Sequence, residues 1–199
     1  MQIRFLTCWL AFVFLLLVAN GTHAAALVVR DANGKKVALL QDKSLRATVL
    51  LFVTNDCPIT NSYAPEIQRL FSAYASRKIG FYLVYADPEL KASAVRQHGK
   101  DYRLACPALL DPTHILVHFT QATVTPEAVI LAPDGKRLYK GRIDDRYIDF
   151  GKARFAATTR DLRDALDAVL ANRPVPHSTT KAVGCFIPGL PARSSKAHP

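Results

Sequence analysis

The stretch Thr54-Asn55-Asp56-Cys57-Pro58-Ile59-Thr60-Asn61-Ser62-Tyr63-Ala64-Pro65 decides the fold. It follows Ala47 to Val53, a continuous apolar run rich in β-formers that suits a strand buried on both faces. Thr54, Asn55 and Asp56 are all good helix N-caps, and a helical pattern continues through Ile67, Leu70, Phe71 and Tyr74. Cys57 therefore stands where a buried strand gives way to a helix. There a sulfur faces unsatisfied N–H groups and the positive end of the helix dipole, which favours thiolate, the form that attacks disulfide sulfur or peroxide oxygen. Pro58 fits the first helical turn, where a missing N–H costs little. Pro65 lies deeper and is expected to kink the helix.

Outward from this junction, strand and helix signals alternate. Ala26 to Arg30 and Lys36 to Leu40 flank the hairpin turn Asp31-Ala32-Asn33-Gly34. Ile79 to Tyr85 is a second buried strand, Glu89 to about Tyr102 a helix, Ala108 to Leu110 a short strand, and Pro112 to Phe119 a helix. Val129 to Leu131 and Arg137 to Lys140 form a hairpin about Pro133-Asp134-Gly135, followed by a long loop from Asp144 to about Thr158. A helix from Thr159 to Ala171 puts Leu162, Ala165, Leu166, Val169 and Leu170 on one face. Such alternation predicts an α/β fold, a central sheet with helices on both faces, spanning residues 25–171. Residues 172–199, with five prolines and no evident core pattern, read as an extended C-terminal arm that carries Cys185.

The chain has 199 residues, half of them hydrophobic, and a formal net charge of +10. That composition excludes disorder. Arg4, the apolar run from Phe5 to Val18 and the small residues around Ala24 to Ala26 read as a signal peptide over residues 1–24, so the domain is secreted or periplasmic. The alternative is an uncleaved N-terminal membrane anchor, the one route to a membrane. Cleavage removes Cys8 and leaves Cys57, Cys106 and Cys185, an odd set that cannot pair completely within one chain. Their spacings of 49 and 79 residues fit no zinc pattern.

The junction resembles the thioredoxin-like superfamily. There a C-x-x-C motif opens a helix with an Ala-Pro kink eight residues after the first cysteine, and Cys57, Ala64 and Pro65 keep that spacing. The second landmark of that superfamily is a cis-proline beside the active cysteine, and Thr125-Pro126-Glu127-Ala128-Val129-Ile130-Leu131 looks like it. The 69 residues from Cys57 to Pro126 imply an extra helix-strand insertion, as in redoxins of the alkyl hydroperoxide reductase and thiol-specific antioxidant type and in periplasmic thiol-disulfide oxidoreductases. The resemblance implies a three-layer fold with a central mixed sheet. It also implies thiol redox chemistry with no cofactor, on a protein disulfide or a small peroxide, recycled by an external thiol reductant.

The pattern departs from its relatives in places. Thr60 occupies the second-cysteine position and cannot resolve a mixed disulfide, so a partner thiol must come from elsewhere. Thr54 stands where the peroxiredoxin motif P-x-x-x-T-x-x-C has its threonine, placed to hydrogen-bond the nucleophile or peroxide, but Leu50 replaces the motif proline and Arg142 is the loose analogue of its arginine. The candidate catalytic residues are thus Cys57, Thr54, Thr125, Pro126 and Cys185. Cys185 resolves Cys57 if the arm folds back; Cys106 is the rival resolving thiol; a structural Cys106–Cys185 disulfide is the third arrangement. A different class of function, a non-catalytic module that holds a periplasmic protein partner, uses the same groove together with the basic segment from Lys136 to Arg163. His114 and His118 lack a third metal ligand, so packing or surface roles are expected and no metal site is assigned. No basic-aromatic array, P-loop or G-x-G-x-x-G appears in the sequence, which speaks against nucleic-acid and nucleotide binding.

Overall fold

The computed structural model describes residues 27–190. The signal-peptide reading of residues 1–24 and the last nine residues of the arm lie outside them. In chain order the elements are β1 (Leu27–Asp31), β2 (Lys36–Leu39), β3 (Ala47–Val53), α1 (Pro58–Tyr74), β4 (Ile79–Tyr85), α2 (Ala92–Asp101), β5 (Ala108–Leu110) and α3 (Ile115–Thr120). There follow β6 (Val124–Thr125), β7 (Glu127–Leu131), β8 (Arg137–Gly141), β9 (Tyr147–Asp149), β10 (Lys152–Ala153), α4 (Asp161–Leu170) and β11 (Cys185–Phe186). A seven-stranded mixed sheet runs in the order β2-β1-β5-β4-β3-β7-β8. Strands β3, β4 and β5 are parallel, and β7 and β8 close one side as an antiparallel hairpin.

Strand β3 is buried on both faces because it lies between layers, as its unbroken apolar run demands. Val49, Leu51 and Val53 join a core with Ile67 and Leu70 of α1 and Leu162 and Leu166 of α4. Leu50 and Phe52 face the opposite core with Leu116 and Val117 of α3. The chain therefore has the thioredoxin-like three-layer α/β architecture, with α2 and β5 inserted between β4 and α3.

Helix α2 begins at Ala92 rather than Glu89, and three further local features differ from the sequence reading. Helix α1 begins after Cys57, which is itself the N-cap, and no side chain caps it; Thr54 instead donates its hydroxyl to Asp56 at 2.8 Å. Helix α3 starts at Ile115 rather than Pro112, because Asp111 accepts the N–H groups of Leu116 and Val117 and His114 turns the chain in the left-handed region with φ 58°. The long loop folds into the small hairpin β9–β10.

The arm differs most from a featureless extension. Lys140 of β8 exchanges backbone hydrogen bonds with Ser178 and Thr180, each at 3.0 Å, so the arm covers the open edge of the sheet. It then crosses to β6 as β11, and Ile187 enters the α3-side core at 2% exposure.

Candidate active site

Cys57 is almost fully buried, at 1% exposure, and forms a disulfide with Cys185, 128 residues away, with a Cα–Cα distance of 6.2 Å. Of the three arrangements open to the cysteines, the structure holds the one in which the arm folds back. Cys106 is the free cysteine among the described residues, and burial pushes its thiol up to about 12.

The second wall of the site is the Thr125-Pro126 peptide, which is cis. It brings the Thr125 carbonyl within 3.4 Å of Cys57 Sγ. Strand β11 runs antiparallel to β6, pairing Cys185 with Thr125 and Phe186 with Val124. The fit depends on glycine at two points. A Cβ on Gly184 would overlap the Thr125 carbonyl, and one on Gly141 would overlap Thr180 of the arm. Tyr139, fully buried, donates its hydroxyl to the Arg142 carbonyl at 2.6 Å and meets the Thr180 hydroxyl at 2.7 Å. Of the predicted site residues, Cys57, Thr125, Pro126 and Cys185 thus converge, while the Thr54 hydroxyl is directed to Asp56.

Sequence reasoning missed the support beneath the junction loop. Asn61 donates from Nδ2 to the Asn55 carbonyl at 3.0 Å and accepts from His98 Nε2 at 2.9 Å. His98 Nδ1 then accepts the Tyr85 hydroxyl at 2.7 Å. This chain fixes the neutral imidazole, and burial lowers the His98 pKa in the same sense. Polar residues at Asn61 and His98 on otherwise helical stretches were the available signal.

A second support comes from the loop after β8. Tyr63 donates its hydroxyl to Asp144, and the hydroxyls of Ser62 and Tyr147 meet at 2.7 Å. Burial opposes the charge of Asp145, yet bonds from the Thr158 hydroxyl and the Thr159 and Thr158 N–H groups, with Arg154 beside it, hold its carboxyl down at about 2. The basic segment from Lys136 to Arg163 is therefore partly spent internally: Arg142 pairs with Asp161, Arg154 with Asp145, Lys140 with Glu127, and Arg163 with Glu66. Arg142, the loose analogue of a peroxidatic arginine, has its guanidinium on Asp161 and Thr159. His114 packs, with Nε2 at 2.8 Å from the Ala86 carbonyl.

The AhpC/TSA family model matches residues 20–136, which include the strand-to-helix junction, Cys57 and Pro126. The chain belongs to the AhpC/TSA family. No curated protein sequence matches it. Among solved structures, this AhpC/TSA chain is similar to an uncharacterized conserved protein from Geobacillus kaustophilus, with 28% identity over 85% of this chain and 91% of that one, at a TM-score of 0.74. It is also similar to a hypothetical protein from Sinorhizobium meliloti, with 27% identity, 82% and 91% coverage and a TM-score of 0.72. At 17% identity, 59% and 84% coverage and a TM-score of 0.50, it shares its fold with the thioredoxin domain of a thiol-disulfide oxidoreductase from Bacteroides vulgatus. The family match covers β1 to the β7–β8 turn, so Gly141 and the whole Cys185 arm lie outside it.

Proposed function

We propose that this protein is an exported thiol-disulfide oxidoreductase in which Cys57 is the nucleophile and Cys185 the resolving thiol. The observation that carries the reading is the Cys57–Cys185 disulfide, formed between a helix N-cap and an arm strand paired with the residue before the cis-proline. The Cys57 thiolate attacks one sulfur of a partner disulfide, forms a Cys57–partner bond and expels the other partner sulfur as a thiolate. The Cys185 thiolate then attacks Cys57 Sγ, forms the intramolecular disulfide and expels the second partner thiolate. The partner gains two electrons in total, and an external dithiol returns the protein to its reduced form. Thr125 and Pro126 present backbone to the partner chain. Export is supported by Arg4 and the apolar run that follows it.

The family match favours a hydroperoxide as a second substrate. The Cys57 thiolate would attack the terminal peroxide oxygen, break the O–O bond and expel the remainder as an alkoxide that leaves protonated as the alcohol; the resulting sulfenic acid would condense with the Cys185 thiol, forming the disulfide and releasing water.

The test is cysteine mapping by mass spectrometry on reduced protein, before and after exposure to a protein disulfide or to peroxide. Turnover with formation of the Cys57–Cys185 peptide pair is expected, and Cys57→Ser abolishes it. A Cys57 left unchanged by both oxidants would overturn the enzymatic reading in favour of a module that only holds a partner. N-terminal sequencing of the exported fraction tests cleavage after Ala24 or Ala26.

A further inference from the structure

The arm seated against Cys57 carries information about what else can sit there. The arm whose sulfur bonds Cys57 passes along Thr125, the residue whose carbonyl is 3.4 Å from Cys57 Sγ. The arm does so in a defined register, with Cys185 opposite Thr125, Phe186 opposite Val124 and the Ile187 N–H donated to the Thr123 carbonyl at 3.3 Å. Each position of this strand meets a different environment. At Gly184 any Cβ overlaps the Thr125 carbonyl, and that obstacle is backbone, which cannot swing aside as a flexible side chain would. At Phe186 the side chain is 80% exposed. At Ile187 it is 2% exposed and packed in the core that holds Leu116, Val117 and Ala122.

We propose that the segment Gly184-Cys185-Phe186-Ile187 spells the recognition rule for the partner strand: a glycine before the reacting cysteine, any residue after it, and an aliphatic residue next. The inference rests on the reading of Cys57 as the redox nucleophile of a protein partner and adds which residues that partner carries around its reacting cysteine. The same geometry makes resolution a strand exchange. The partner strand and the arm share one edge, β6, and one sulfur, Cys57 Sγ. Cys185 therefore reaches the mixed disulfide as β11 re-forms on β6 and the partner strand leaves, with the partner thiolate as the leaving group.

The experiment uses the full chain carrying Cys8→Ser and Cys185→Ser, with Cys57 converted to its mixed disulfide with thionitrobenzoate. An incoming peptide thiolate attacks Cys57 Sγ and releases the coloured thionitrobenzoate anion, so the rate is read directly. Four peptides are compared: Val-Gly-Cys-Phe-Ile, Val-Val-Cys-Phe-Ile, Val-Gly-Cys-Ser-Ile and Val-Gly-Cys-Phe-Asp. Each rate is divided by the rate of the same peptide with a small aromatic disulfide, which removes differences in thiol reactivity. The first and third peptides are expected to react within about a factor of two of each other, and both roughly tenfold or more faster than the second and fourth. Equal normalised rates for all four would overturn the strand rule while leaving Cys57 a competent thiol. A Cys57 that takes up no thionitrobenzoate would overturn the reading of the site itself, and the rule with it.

Discussion

The Tyr139 hydroxyl in β8 lies 2.7 Å from the Thr180 hydroxyl in the arm, beside Gly141, whose missing Cβ makes room for Thr180. This contact and the β11–β6 pairing hold the arm at two places on either side of its crossing to Cys57. Gly141→Val is expected to lift the arm at Thr180, with an overpacking cost of about 1–3 kcal/mol. Hydrogen exchange should then quicken at the Lys140 and Thr180 amides, and the Cys57–Cys185 disulfide should re-form more slowly after reduction. Unchanged exchange at both amides would show that the arm does not depend on this glycine.

The disulfide closes a loop with a sequence separation of 128 residues. Closing so long a loop restricts the unfolded chain, so reduction or Cys185→Ser should lower stability by about 2–4 kcal/mol. Denaturant unfolding with and without a reductant measures this directly. Cys106→Ala should retain the difference between the two conditions, because Cys106 is in no disulfide.

Cys106 is fixed in the α1-side core and its thiol is pushed up to about 12, whereas Cys57, 1% exposed in the disulfide form, is bonded to the arm that reduction frees and is the N-cap residue of a helix that no side chain caps. Alkylation of native reduced protein near neutral pH should therefore modify Cys57 and leave Cys106 untouched until denaturant is added. A native Cys106 that alkylates as fast as Cys57 would contradict the burial argument.

His98 is neutral in the fold, its pKa lowered from 6.5 by burial, while Asp101 works weakly the other way. In the unfolded chain it takes up a proton near the ordinary value. The unfolded state thus binds more protons as the pH drops below about 6.5, and this contribution to stability, fully present above that pH, is lost on acidification until the lower folded pKa is reached. A melting-temperature profile between pH 8 and pH 5, taken as roughly the range over which histidine titrates, should fall toward acid. His98→Gln should flatten that fall, and by freeing Asn61 it should also slow the reaction of Cys57 through the Asn55 carbonyl, to which Asn61 is bonded.

Much of the fold was legible in the chain because the burial signals are local and periodic. The unbroken apolar run of β3 and the N-cap-rich junction read as an α/β domain, the spacing of Cys57, Pro65 and Pro126 carried its resemblance to the thioredoxin-like superfamily, and β3, β4 and β5 fall where the run lengths put them. Helix α3 was misplaced at its start because the Asp111 side chain and the left-handed His114 set that boundary, and neither is a property of hydrophobic period. The arm was harder still. Its one deeply buried anchor, Ile187, sits between prolines and glycines with no repeat to mark it, and its strand is only two residues long.

By itself, then, the sequence placed a cysteine at a helix start, a threonine in the second-cysteine position of the motif it resembles, and an odd set of thiols that cannot all pair. Which thiol pairs with Cys57 was decided by tertiary structure alone. Cys106 and Cys185 are both distant from Cys57 along the chain, and nothing in spacing ranks them. The choice follows from shape: the segment leading into β5 holds Cys106 within the α1-side core, whereas Gly141 and Gly184 open two gaps through which the arm passes, bringing Cys185 to the Thr125 edge. Contacts of that kind depend on side chains that are absent, at positions more than forty residues apart, and they become visible only when the backbone has been folded.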